Sequence, residues 1–392
     1  MKIILCGPYL TENMEMLLPE ASPAAGKFLR NLKNGLLLSG YNVVVLSYQS
    51  IHVSDVVQKA LEKEIQRGSE QKEYYVFKKR NPLQAVVAYR AMIYSYIKEG
   101  DFVLFYNSIY PTVLMQHHIH RMGAQTGVIL ADYTEPEEYH SLARKIIAYI
   151  CKYDMKKYDK YVMLSCGFMN TLGGGNNSIL VQGGIDDSIL GQFSQPHKKD
   201  VCNFYYSGLL SEENGVKNMV VAFRRINATN IRLVISGKGP LEKYVKEETK
   251  KDTRIVYVGY VENKRYYTLL EQADILVNPR NMELPQNKNN FPSKIMEYLA
   301  SGRIIISTRF PSWEQFEENI LFCDSDVDSI IIAMKKACSM TVQDIIDNFY
   351  KNIAFAQKFS WTVQSRRIGK ICCNKVSVAS DSENQGTEDE NG

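Results

Sequence analysis

At 392 residues the chain is too long for one hydrophobic core, so two domains of similar size are expected. Its 45% hydrophobic and 23% charged content excludes a disordered chain, a collagen and a disulfide miniprotein. The formal net charge of +4 includes Asp381, Glu383, Glu388, Asp389 and Glu390 in a tail without Lys or Arg; removing those five negative charges leaves a body near +9. A body that basic points to an anionic partner, and composition does not choose between nucleotide phosphate, acidic lipid and nucleic acid.

In chain order, residues 3–6 read as a first strand ending at Gly7-Pro8, too short for a secretory signal. Further strand-like runs follow at 43–46, 74–77, 102–106, 128–131 and 161–164, with helical patterns at 28–38 and 83–97. The uncharged stretch 102–120 contains Asn107, Ser108, Pro111, Gln116 and three histidines, so it reads as strand, turn and helix start rather than a membrane span. A break around 190–200 has turn chemistry without periodicity. Strands then resume at 204–207, 232–236, 254–258, 275–278, 304–307 and 321–323, with helices at 241–249, 295–300 and 361–371. This alternation predicts two doubly wound parallel sheets of about six strands each. Eight cysteines without a C-x-x-C pair make no disulfide framework, and the vicinal Cys372-Cys373 would bridge only with strain. The expectation is a soluble, reduced, cytoplasmic protein.

The most informative segment is Phe291-Pro-Ser-Lys-Ile-Met-Glu-Tyr-Leu-Ala-Ser-Gly302. Pro292 suits the first helical position, Gly302 suits the stop, and Ile295, Met296, Leu299 and Ala300 form a core face. Ser293 and Lys294 stand at the positive helix end, where backbone N–H groups and an ammonium hold phosphate. Glu297, one turn further in, is placed to accept hydrogen bonds from ribose hydroxyls. On chemistry alone, a capped amphipathic helix with solvated Lys and Glu accounts for the segment equally well.

This block, followed by Arg303-Ile-Ile-Ile-Ser-Thr308, resembles the nucleotide-sugar site of glycosyltransferase family 4, whose fold is GT-B. Tyr206-Ser-Gly208 through Gly215-Val-Lys-Asn-Met resembles the loop and helix that open the second domain there. Leu233-Val-Ile-Ser-Gly237-Lys-Gly239-Pro240 is similar to the family's glycine loop, and Val258-Gly259-Tyr260-Val261 to the segment whose backbone meets the base. Asp274-Ile-Leu-Val-Asn-Pro279-Arg280 resembles the strand leading into the donor pocket. In the first half the likeness is weaker: Gly26-Lys27, Gly35 to Val45, and Gly183-Gly184-Ile185-Asp186.

The chain departs from the family at the diphosphate. Where the family carries an Arg and a Lys, this sequence has Leu209-Leu210 and Asn214, and the first of the paired glutamates is replaced by Asn289. A departing diphosphate still needs positive charge. Arg280 after one strand and Lys294 at the next helix start are expected to supply it at the sheet's carboxyl edge. Asp132 is the candidate to orient the acceptor hydroxyl, with an N-cap as its plainer role. Gly26 is expected to open the first helix and allow close approach of the diphosphate, with an ordinary turn glycine as the alternative.

Other signals carry less. Asp324-Ser-Asp326 precedes a helical run and reads as N-capping acids, His117, His118 and His120 as a solvated or packed face, and Gly173-Gly174-Gly175 as a turn. The 142–160 segment, with six Lys or Arg against two Asp and interleaved Tyr149, Tyr153 and Tyr158, reads either as a solvated face or as a seat on anionic lipid. Lys78-Lys79-Arg80 precedes a second tyrosine-rich helix, and no nucleic-acid-binding module accompanies the charge.

The resulting expectation is a GT-B protein with an acceptor-binding domain over 1–195, a donor-binding domain over 198–355, a helix over 356–376 crossing back to the first domain, and a disordered acidic tail over 377–392. The resemblance implies a retaining, hexosyltransferase-type enzyme, with Arg280, Lys294 and Asp132 in catalysis. Gly26, Gly208, Gly237, Gly239, Tyr260, Val261, Ser293 and Glu297 would bind the donor. No metal or other cofactor is expected beyond the nucleoside-diphosphate sugar, and the acceptor would be a glycan or a lipid-linked glycan in bacterial cell-surface polysaccharide assembly. An inactive GT-B partner subunit and a sugar-nucleotide epimerase remain alternatives.

Overall fold

The computed structural model describes residues 1–53, 55–78, 82–131, 136–164, 175, 177–197, 199–284, 287 and 291–373. The first sheet comprises β1 (Ile3–Gly7), β2 (Val43–His52), β3 (Glu73–Lys78), β4 (Phe102–Tyr106), β5 (Gln125–Leu130), β6 (Lys160–Met163) and β7 (Ser178–Leu180). The second comprises β8 (Cys202–Ser207), β9 (Ile231–Ser236), β10 (Ile255–Tyr257), β11 (Ile275–Asn278), β12 (Ile304–Thr308) and β13 (Leu321–Cys323). Their orders are β3-β2-β1-β4-β5-β6-β7 and β10-β9-β8-β11-β12-β13, with every pairing parallel. These are the two helix-covered α/β layers of the GT-B arrangement. The seventh strand, β7, is not among the expected strands; it is an edge strand only partly buried at each of its three positions, so it lacks the apolar run that marks the others.

Burial explains the uniform apolar strands. β1, β4 and β12 are buried at every position, because helices cover both faces of each sheet. Separate apolar clusters lie on the two sides of each sheet. In both sheets the strand order reverses beside the first strand, at β1/β4 and at β8/β11. Such switch points open a crevice at the carboxyl ends of the strands, where loops diverge to opposite faces.

The helix Pro23–Leu38 starts at Ser22, whose hydroxyl accepts from the Ala25 N–H, with Pro23 as the first helical residue. A buried ion pair between Lys33 and Glu73, completed by the Tyr9 and Tyr75 hydroxyls at 2.6 and 2.7 Å, pins it to β3. The last helix, Trp361–Cys373, packs on the same helix: a side chain at Gly35 would collide with Ser365, and one at Gly369 with Tyr41. Trp361 also meets Phe28 edge-on at 4.9 Å. Where the chain passes between the sheets, Ile185 bridges Ser360, and the Thr362 N–H donates to Asp187 at 3.0 Å.

Asp326 caps the helix Val327–Cys338 by accepting from the Ser329 N–H, as expected, whereas Asp324 does not cap it and instead pairs with Arg309 at 2.7 Å. His120 bonds Asp159 at 2.8 Å and His118 packs edge-on against Tyr94. The seven described cysteines are free thiols, Cys372 and Cys373 included. Among the described residues no helix is long and apolar enough to cross a membrane. Gly173 and Gly174, Lys79 and Arg80, and the tail from 374 lie outside the described residues.

Candidate functional site

The carboxyl ends of β8 and β9 deliver two loops into one crevice. The Gly208 N–H donates to Ser236 O at 3.1 Å, the Gly237 N–H to Gly259 O at 2.8 Å, and the Leu210 N–H to Lys238 O at 3.0 Å. The loops are therefore knitted by backbone before any ligand arrives. Gly237 makes this possible: its φ is +132, and a Cβ there would lie 1.8 Å from Gly208 O. Only a residue without a side chain fits.

The helix Lys294–Ser301 brings in the charge. It buries Ile295, Met296, Tyr298, Leu299, Ala300 and Ser301 and ends at Gly302, whose φ of +68 is the left-handed stop expected from the sequence. Its start differs from expectation by a position or two: Ser293 is the N-cap, already in helical conformation, and Pro292 precedes it. Lys294 and Glu297, three residues apart, both reach the crevice.

The crevice, of about 330 Å³, is lined by Ser207, Gly208, Leu209, Ser236, Gly237, Lys238, Tyr260, Val261, Asn263, Tyr266, Tyr267, Lys294 and Glu297. Lys294 Nζ donates to Ser207 Oγ at 3.1 Å and lies 4.8 Å from the centre of the Tyr266 ring. Burial pushes the Lys294 pKa down, Glu297 partly offsets this, and Lys27 adds to it. Glu297 accepts from the Tyr266 hydroxyl at 2.8 Å and from Lys27 Nζ at 2.8 Å. Burial opposes its ionisation, yet Lys27, Lys294 and the Tyr266 hydroxyl together hold its carboxyl below the ordinary glutamate value. Burial likewise pushes the Tyr267 phenol up to about 12. Opposite, Lys238 Nζ sits 5.4 Å from the centre of the exposed Tyr260 ring.

Six predicted residues thus share one wall: Gly208, Gly237, Tyr260, Val261, Lys294 and Glu297. Four others stand outside it. Gly239 backs onto Leu210, where a Cβ would lie 2.5 Å from the Leu210 carbonyl oxygen, and Ser293 is exposed at the helix start. Arg280 follows β11 with a half-buried side chain near Tyr206, and burial lowers its pKa. Gly26 does not open its helix; it lies within the first turn, and its N–H already donates to Ser22 O at 3.1 Å. Asp132 and Asn289 lie outside the described residues.

Several lining groups, Ser207, Lys238, Tyr266 and Tyr267 among them, and the bridging Lys27 are not donor contacts in the sequence reading. Lys238 lies within the glycine loop Leu233–Pro240 and Lys27 beside Gly26, so the glycines overshadow their signals. Tyr266 carried no local signal. Lys27 brings the first domain to this wall, 270 positions before Glu297. The wall offers ammonium groups, a hydroxyl and aromatic faces around a carboxylate, a combination suited to a polyanion bearing a flat ring and a diol. Among the described residues, no cluster of three His, Cys, Asp or Glu side chains is arranged to hold a metal ion.

Residues 202–339, which include this wall, match the family model described as Glycosyl transferases group 1. No curated protein matches the chain in sequence. Among solved structures, the N-terminal domain of Candida albicans trehalose-6-phosphate phosphatase is similar with a TM-score of 0.72 at 13% identity, covering 94% of this chain and 96% of that one. A trehalose-6-phosphate synthase studied with bisubstrate glycomimetics for glycosyl transfer with retention gives 0.67 at 10% identity, with coverages of 96% and 100%. An Anabaena protein in complex with UDP gives 0.65 at 12%, with coverages of 94% and 99%. At these identities the likeness is one of fold.

Proposed function

We propose that the protein transfers a sugar from a nucleoside-diphosphate sugar to a hydroxyl acceptor, with the donor held by the second domain. The carrying observation is the juxtaposition of Lys294, Lys238 and Glu297 with the knitted glycine loops at the β8/β11 switch point. In this reading Lys294 and Ser207 take the diphosphate, Tyr260 and Val261 face the base, and Glu297 exchanges Lys27 for the ribose hydroxyls. A diphosphate beside Lys294 offsets the desolvation of its ammonium and stabilises the negative charge that grows on the leaving group. Arg280, at the end of the neighbouring strand, adds positive charge to the same edge.

The group 1 match over part of the second half supports transferase chemistry, and the fold shared with a synthase studied for glycosyl transfer with retention supports a retaining course. The family 4-type, hexosyl-transferring assignment rests on the resemblance of the Phe291–Gly302 block. The first domain, with Asp132 after β5, would present the acceptor, a glycan or lipid-linked glycan of cell-surface polysaccharide assembly. Closure of the two domains would exclude water and align the acceptor. A cytoplasmic location belongs to the same proposal, and no metal is assigned a role in it.

Calorimetry against UDP, GDP and ADP tests the donor assignment. One of them is expected to bind, and Lys294→Met to weaken it roughly 10- to 100-fold. Silence from all three nucleotides overturns the reading in favour of an inactive partner subunit, and consumption of donor without acceptor would favour an epimerase.

A further inference from the structure

The helix Leu142–Asp154 is amphipathic, but it is mounted the wrong way round for a globular core. Leu142, Ile146, Tyr149, Ile150 and Tyr153 form one stripe roughly 100° wide. All five face solvent, from Ile150 at 38% exposure to Leu142 at 73%. The opposite face, through Arg144, Ile147, Ala148 and Cys151, lines a cavity of about 370 Å³ beside Asn107 and Tyr110. The helix is secured at its end by Asp154, its only buried residue. Asp154 accepts from the Leu114 N–H at 2.9 Å and from Gln116 Nε2 at 2.8 Å.

Other exposed apolar side chains lie on neighbouring elements. Leu114 is held at a left-handed φ of +63 and is 56% exposed. Arg90 donates to Pro111 O and Val113 O at 2.8 and 2.9 Å, tying the helix Pro82–Tyr96, with its exposed Leu83 and Val87, to the same loop. The charge around this surface has one dominant sign. Arg144, Lys145, Lys152, Lys156 and Lys157 lie along the helix and its extension Met155–Lys157. The nearby acids whose side chains are described are engaged: Asp154 as above, Asp159 with His120 and Thr126, and Glu137 with the Tyr149 hydroxyl. Lys157 Nζ stacks 4.0 Å from the Tyr153 ring centre, placing a cation beside the stripe.

We propose that this edge of the first domain is a seat for an anionic lipid bilayer, with the stripe entering the interface and the lysines meeting phosphate head groups. An apolar face flanked by lysine and tyrosine, on a helix held to its domain by one end, has the chemistry of an interfacial helix. A protein partner would match the apolar stripe, but the cationic border selects a negatively charged plane. The cavity behind the helix is then within reach of a head group; that consequence, a lipid-borne acceptor, rests on the transfer reading above.

Flotation of the full chain with vesicles of phosphatidylcholine, with and without phosphatidylglycerol, tests the seat without any nucleotide. Binding is expected only with phosphatidylglycerol, weakening as NaCl is raised. Ile146→Glu/Ile150→Glu should reduce vesicle-bound protein about tenfold or more, and Lys156→Glu/Lys157→Glu should also reduce it. Both variants should keep the wild-type melting temperature and nucleotide affinity. Undiminished flotation of the apolar-face variant, or no flotation of the wild type, overturns the proposal. So does a dimer in light scattering that the same variant dissolves, which would assign the face to a second copy. Loss of nucleotide binding in every form would instead count against the transfer reading and leave the seat standing.

Discussion

The two sheets share a design but finish their crevice edges in opposite ways. In the second domain the edge is preassembled: backbone joins the loops after β8 and β9, Lys294 is engaged by Ser207, and Glu297 by Tyr266 and Lys27. In the first domain the helix Leu142–Asp154 turns its apolar stripe to solvent and buries only Asp154. A fixed, charged wall suits a small polyanion whose groups must be matched one by one. A protruding apolar face suits a plane, where depth and charge matter more than position. One edge is built for registry and the other for contact.

The largest expected effect lies in the wall. Gly237→Ala places a Cβ 1.8 Å from Gly208 O at a backbone angle alanine avoids, and should cost about 3 kcal/mol or more in chemical denaturation. A loss under about 1 kcal/mol would show that the loops yield and that the wall is not preassembled.

A smaller effect is expected at Glu297. Its folded carboxyl lies below the ordinary glutamate value, so its contribution is present above the unfolded pKa and is lost as pH falls through the folded one. Glu297→Gln should cost about 1 kcal/mol at neutral pH and flatten the acid limb of the stability profile. An unchanged acid limb would show that the bonds from Lys27 and Tyr266 do not perturb it.

The smallest expected effect is on the exposed stripe, where Ile146→Ser should change stability by less than about 0.5 kcal/mol. A loss of about 2 kcal/mol or more would mean that the side chain is packed in solution, and the contrast between the two edges would fail.

The alternation of strands and helices was legible because parallel strands buried on both faces read as continuous apolar runs, bounded by turn residues. Lys294 and Glu297 were legible because one helix carries both. The Lys27–Glu297 bridge spans 270 positions, and Tyr266 reaches Glu297 from another helix, so no local pattern announced either contact. Arg280 follows the expected strand, but its half-buried side chain is not among the residues that line the crevice, a matter of packing that strand position does not determine. The Leu142–Asp154 helix shows the remaining limit. An apolar stripe has the same periodicity whether it faces a core or the outside, and only the packing of Asp154 and the loop after β4 decides which.

The last helix has a consequence for synthesis. The first domain's apolar cluster includes Trp361, Ile368, Ile371 and Cys372, although its strands end at Leu180. At ribosomal rates of about 5–20 residues per second, those strands wait roughly 10–40 s for Trp361 to be made. During that interval Phe28, Leu32 and Leu36 lack the helix that covers them in the finished protein. The half made first is therefore completed last, and a ribosome that stalls in the second domain leaves both halves unfinished.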